Sequence, residues 1–233
     1  MSLAGKVAIV TGGTGALGRA VTRLFLAEGA DVTVTSRRPA ERDALAAQLP
    51  VAARDRLHAV AADVTDAASV GRLVTEVTTR TGRLDVLVNV AGGFAAGDLL
   101  ATDETVWDRM LALNLASAYL CCRAALPAMI AAGGGRIVNV GSRSVVPPQG
   151  GFIAYTVAKA GVIALTQALA HEVRRHRVTV NAVLPSTMDT EANRQAMPGA
   201  DPSQWVTPES VAAAIAFLAS DAAAGVTGSL VAV

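Results

Sequence analysis

Residues 6–11, Lys-Val-Ala-Ile-Val-Thr, run without a gap into Gly12-Gly13-Thr14-Gly15-Ala16-Leu17-Gly18, and this junction restricts the possible folds more than any other stretch of the chain. The six residues before the turn read as a buried strand, 16–27 as a helix, and Asp31-Val-Thr-Val-Thr35 as a second strand. Strand, glycine turn, helix and strand within roughly thirty residues make a βαβ unit. Glycine suits such a turn because positive φ and close backbone approach to a pyrophosphate both exclude a Cβ. The helix N-terminus meanwhile offers free N–H groups and a positive dipole end. The natural ligand is a dinucleotide, held around Gly12, Thr14, Gly15, Leu17 and Gly18. Outside this context a glycine cluster would be only a tight turn.

The alternation continues along the chain. Helices are expected over 40–49 and 67–80, strands over 57–61 and 85–90, and a helical region over 105–132 interrupted by Pro127. Strand 136–140, a helix from the Tyr155 segment to Arg174, strand 178–183, helix 208–220 and strand 229–233 complete the pattern. Residues 188–207, with Pro198, Gly199 and Pro202, read as a mobile substrate loop or short helices. The expectation is one α/β domain over 1–233, a Rossmann-type doubly wound parallel sheet of about seven strands with helices on both faces. A chain of 233 residues suits one such domain, with a core built mainly from Ala, Val, Leu and Ile, since aromatics make up only 3%.

Ligands of open α/β sheets gather at the carboxyl ends of the strands. Asp63, Asn89 and the Ala91-Gly92-Gly93 loop therefore belong to the presumed cofactor cleft, although Asp63 would equally serve as a helix cap and the glycines as an ordinary turn. After the second strand an NAD-type site would want an acidic residue for the ribose hydroxyls. Here stands Ser36-Arg37-Arg38, a hydroxyl and two guanidinium groups that suit a ribose phosphate. NADP(H) is favoured on this ground, with NAD(H) possible; the alternative is that the arginines form a solvated loop.

Tyr155 and Lys159 are spaced at i and i+4, which stacks a phenol and an ammonium on one helical face. A fixed cation favours the phenolate and lowers the phenol pKa, giving a candidate general acid. Alone the pair is also what a half-buried tyrosine with a passing lysine looks like.

Charge excludes some classes. Lysine plus arginine (20) nearly balances aspartate plus glutamate (19), so there is no electrostatic footprint for nucleic acid or an anionic membrane. No apolar run reaches a bilayer span, and no signal peptide is recognisable, so a cytoplasmic protein is expected. Cys121 and Cys122 are adjacent in a predicted helix and read as reduced core thiols. His58, His171 and His176 are scattered, and no metal-ligand spacing appears.

Taken in order, Thr11-Gly12 through Gly18, Asp63, Asn89-Val90-Ala91-Gly92, Asn114, Ser142, Tyr155 with Lys159, and the Pro185 to Thr190 segment resemble the short-chain dehydrogenases/reductases over essentially the whole length. The resemblance implies that Tyr155 protonates a carbonyl oxygen as nicotinamide hydride reaches the carbon, and that Ser142 holds that oxygen. It implies that Lys159 tunes the phenol and binds the nicotinamide ribose, and that Asn114 keeps a relay water. Val64, Pro185 and Thr187 join the cofactor contacts on the same ground, together with Tyr155 and Lys159 themselves. The implied activity interconverts a carbonyl and a secondary alcohol on a small molecule. A homotetramer or homodimer is implied as well, paired through the helices around 114–132 and 151–174. Two other readings stand beside it: a beta-ketoacyl carrier-protein reductase, for which Arg143, Arg174 and Arg175 are docking candidates, and a non-catalytic dinucleotide-binding sensor or scaffold. The chain departs from the family pattern at four places. Gly15 and Ala16 alter the glycine spacing, Val90 stands where asparagine is common, Ser186 follows the proline where glycine is usual, and the chain stops at 230–233 without a polar, glycine-rich tail.

Overall fold

Alternate residues of the first strand face opposite ways, and both ways are apolar: Val7 and Ile9 to one side, Ala8 and Val10 to the other. A strand buried on both faces needs helices above and below it. The computed structural model, which describes residues 2–36 and 39–233, has that layered form. Seven strands, β1 Val7–Thr11, β2 Asp31–Thr35, β3 Leu57–Val60, β4 Val86–Asn89, β5 Gly135–Val140, β6 Val178–Leu184 and β7 Leu230–Ala232, form one sheet in the order β3-β2-β1-β4-β5-β6-β7. Every neighbouring pair is parallel.

The helices are α1 Ala16–Ala27, α2 Pro39–Ala47, α3 Val51–Arg54, α4 Ala67–Thr81, α5 Glu104–Met110, α6 Ser117–Ala131, α7 Ile153–Val173, α8 Glu191–Ala196 and α9 Pro208–Ala219. On one face Leu17, Val21 and Phe25 of α1 and Val211, Ile215 and Leu218 of α9 pack on Ala8, Val10, Val34, Val88 and Val138. On the other, Val70, Leu73 and Val77 of α4, Cys121, Ala125 and Met129 of α6 and Ala170 of α7 pack on Ile9, Leu87, Ile137 and Val180. Both cysteines are free and buried. The chain winds outward in one direction from β1 to β3 and in the other from β4 to β7. The strand order therefore reverses between β1 and β4, where a crevice opens at the carboxyl ends.

One local expectation changes. The long helical region is not interrupted at Pro127, because α6 runs through it. Pro127 lies on the exposed side, so the carbonyl of Arg123, which a proline cannot serve, faces water at little cost. The irregularity falls earlier, in a π-helical turn at Leu111–Ala116 that holds Asn114. Residues 188–207 contain α8 and a 3-10 turn at Pro202–Gln204, with a bridge between Met188 and Val206.

The segments Glu104–Ala131 and Ile153–His176 are long and apolar enough, by length and composition, to cross a bilayer. In both segments part of the apolar surface packs on the sheet, through α6 on β4 and β5 and α7 on β5 and β6.

Candidate active site

The glycine turn is built for close approach. Gly12 has φ of 63°, and a Cβ there would stand 3.0 Å from the Cα of Ala91. A Cβ on Gly18 would run into the carbonyl oxygen of Gly12, and one on Gly13 into the side chain of Val34. Gly15, by contrast, meets only the Gly12 oxygen at an ordinary 3.4 Å, so Gly13 is a tighter requirement than sequence spacing suggested. Gly15 N-caps α1 and no side chain caps the helix. A bare helix N-terminus beside a cradle that a Cβ would fill suits the pyrophosphate of a dinucleotide.

Thr11 ties this turn to the next loop. Its buried hydroxyl accepts hydrogen bonds from the amides of Val90 and Ala91, both at 3.1 Å. Thr35 similarly accepts from the amide of Gly12 at 2.9 Å. Sequence reasoning missed a carboxylate at this corner: Oε2 of Glu41, in the first turn of α2, accepts from the hydroxyls of Thr14 at 2.9 Å and Ser36 at 3.0 Å. Arg37 and Arg38 lie outside the described residues.

Asp63 folds back on itself, its Oδ1 accepting from the amide of Thr65 at 2.9 Å and its hydroxyl at 2.6 Å. The cap of α4 is Asp66, which accepts from the amide of Ser69 at 2.7 Å. Val64 is buried beside it. Asn89 is buried. Its Nδ2 donates to Oδ1 of Asn139 at 2.8 Å, and Asn139 donates to the Thr166 hydroxyl at 2.9 Å. This buried chain of amides and hydroxyls joins β4, β5 and α7. A polar residue in an otherwise apolar strand was the available signal for Asn139, since a buried amide must find a partner.

The π-helical turn turns Asn114 toward the loop after β4. Its amide donates to the carbonyl of Gly93 at 3.1 Å, and its Oδ1 accepts from the amide of Gly93 at 3.2 Å. Gly92 allows this approach, for its Cβ would stand 2.7 Å from Oδ1 of Asn114. At the far edge the Pro185 carbonyl accepts from the amide of Arg143, and the Thr187 carbonyl from the amide of Val206.

Tyr155 and Lys159 sit in the first two turns of α7, over the end of β5. The Lys159 ammonium lies 5.9 Å from the centre of the Tyr155 ring and donates to the carbonyl of Val140 at 2.7 Å. Burial lowers its pKa from 10.5 to about 8. Burial also raises the Tyr155 phenol above its ordinary value, and the neighbouring Ser142 side chain lowers it in part. A buried ammonium needs a hydrogen-bond acceptor, and the Val140 carbonyl supplies it. Ser144, also missed, lies 2.8 Å from the Ser142 hydroxyl.

Phe94 was missed as well. It follows the Gly92-Gly93 loop, and its ring stands 5.1 Å from that of Tyr155 and 5.7 Å from that of Phe152. Arg174 and Arg175 lie beyond the far end of α7, roughly 30 Å along the helix from Tyr155, so they do not join Arg143 at the crevice. Among the described residues no group of three His, Cys, Asp or Glu is placed to hold a metal ion.

A parallel sheet with a dinucleotide cradle at its switch point, and a tyrosine, serine and lysine converging beside it, defines a Rossmann-type oxidoreductase. The chain belongs to the short-chain dehydrogenase family, whose model matches residues 6–200. It is similar to D-threitol dehydrogenase of Mycolicibacterium smegmatis, 36% identical over 237 residues that cover 97% of this chain and 90% of that protein. It is also similar to (5R,7aS)-5-hydroxy-7a-methyl-1-oxo-2,3,5,6,7,7a-hexahydro-1H-indene-carboxyl-CoA reductase of Mycobacterium tuberculosis, 38% identical over 242 residues, covering 99% and 92% of the two chains. A solved short-chain type dehydrogenase/reductase from Mycobacterium ulcerans matches with a TM-score of 0.94 at 28% identity, over 100% of this chain and 90% of that one. The protein is an NAD(P)-dependent oxidoreductase of small-molecule alcohols and carbonyl compounds.

Proposed function

We propose that the protein is an NADP(H)-dependent reductase that interconverts a carbonyl and a secondary alcohol, with Tyr155 as the proton donor. The observation that carries this reading is the convergence at the start of α7, where the Lys159 ammonium lies 5.9 Å from the centre of the Tyr155 ring and the Ser142 side chain is near enough to the phenol to lower its pKa. A nicotinamide cofactor, when bound, supplies or accepts the hydride. Tyr155 gives its proton to the carbonyl oxygen in reduction and withdraws it in oxidation. Ser142 holds the same oxygen while negative charge develops on it. Lys159 adds positive charge near the phenol, and Asn114 holds the Gly92-Gly93 loop in place from below. Tyr155→Phe is expected to lower kcat/KM for carbonyl reduction about 100-fold or more while NADPH still binds. Wild-type rates in that variant would remove the proposal.

NADP(H) preference rests on charge at the end of β2. Two guanidinium groups, Arg37 and Arg38, follow Ser36 in the sequence, and they suit a ribose phosphate. Arg37→Ala is expected to weaken NADPH about tenfold and NADH little; unchanged NADPH affinity would overturn the role of Arg37 as a phosphate clamp. The same reading places the protein in the cytoplasm, which cell fractionation would check.

A further inference from the structure

This chain has four phenylalanines, two tryptophans and two tyrosines, and three of these rings meet at one point. Phe94, Phe152 and Tyr155 form a closed triangle, with centroids 5.1, 5.7 and 6.1 Å apart and tilted or edge-on planes. Such geometry is attractive between rings and is held here by the backbone. The amide of Gly97 donates to the carbonyl of Gly151 at 2.8 Å, and the amide of Ile153 donates back to the carbonyl of Gly97 at 3.0 Å. The loop that carries Phe94 is thereby pinned to the start of the helix that carries Tyr155. Phe94 is nevertheless 61% exposed, and Val146, in the segment after Ser142, is 54% exposed. Both are large apolar groups left in water at the rim of the site.

We infer that the substrate is a ketone, or the corresponding secondary alcohol, whose carbonyl is attached to or part of an apolar ring, and that Phe94 and Phe152 are the specificity-determining contacts for that ring. The inference rests on the reductase reading above. A ring laid on Phe94 covers the exposed face and delivers its carbonyl oxygen to the phenol in the same step. Aromatic packing fixes a plane at low entropic cost because few torsions are frozen. A polyol gains nothing comparable from these rings. Its hydroxyls would lose water against apolar faces.

The test is a panel of aryl and alicyclic ketones, such as acetophenone and cyclohexanone, against ketoses such as dihydroxyacetone. It is run with NADPH and NADH on wild type, Phe94→Ala, Phe94→Tyr and Phe152→Leu, with thermal unfolding as the check on folding. The expected result is a ring-over-ketose preference in kcat/KM that falls about tenfold or more in Phe94→Ala, mainly through KM, and is kept by Phe94→Tyr. A wild-type preference for ketoses, or an equal loss on both classes in Phe94→Ala, overturns the ring assignment and leaves the reductase reading intact. Absence of turnover on every ketone and alcohol with either cofactor overturns both.

Discussion

Burial holds the Tyr155 phenol above its ordinary pKa of 10.0, and the neighbouring Ser142 side chain draws it part of the way back. The free enzyme therefore carries a protonated phenol throughout the neutral range. Reduction, which consumes that proton, is expected to hold its kcat/KM from about pH 6 to 8, whereas oxidation, which needs the phenolate, should rise with pH. Initial rates in both directions across this range check the sign. Lys159 shifts the other way. It loses its proton near pH 8 in the folded state but keeps it to 10.5 when unfolded, so between these values the unfolded chain binds more protons and stability rises with pH. The cost of burying the ammonium, about 3 kcal/mol from the size of that shift, is fully present below pH 8. Lys159→Met should thus be the more stable protein at pH 7, and its advantage should shrink from pH 8 to 10.5. Urea unfolding at each pH measures the gap, and a gap independent of pH would mean that the lysine is not buried as a cation.

At the scale of elements, Asn114 shows how local geometry makes a site. An ordinary helix from α5 into α6 would aim residue 114 differently; the extra residue of the π-helical turn lets it pair with both backbone groups of Gly93. Gly92→Ala should force the two apart and cost about 1–3 kcal/mol by overpacking, read as a lower melting temperature. The order of strands and helices was legible because hydrophobic period and glycine turns are local signals; Tyr155 and Lys159 stand out by their spacing, and Ser142 by the family resemblance. The π-helical turn, the pairing of Asn89 with Asn139, and Glu41 were not. They depend on which residues meet across 50 positions for the two asparagines, and on 27 for Thr14 and Glu41, and no local pattern encodes that. Phe94 was visible only as a rare aromatic beside a glycine loop, a cue that acquires meaning once Tyr155 stands next to it.

For the molecule as a whole, the two long helices on one face leave Tyr119 of α6 and Val157 of α7 exposed at 45% and 39%. We propose that these surfaces pair across a dyad in a homodimer or homotetramer. Light scattering should then give two or four times 23.6 kDa, and Val157→Arg should shift the mass toward the single chain. A wild-type mass of one chain at all concentrations would exclude the assembly.

The hydroxyl of Thr11 has a consequence for motion. Because one buried oxygen accepts from both Val90 and Ala91, the two lips of the crevice are cross-linked and cannot breathe separately. Their amides should exchange with deuterium only in openings that also disturb the end of β1. In Thr11→Val, which keeps the shape and deletes the acceptor, those amides should exchange far faster while the strand behind them stays protected.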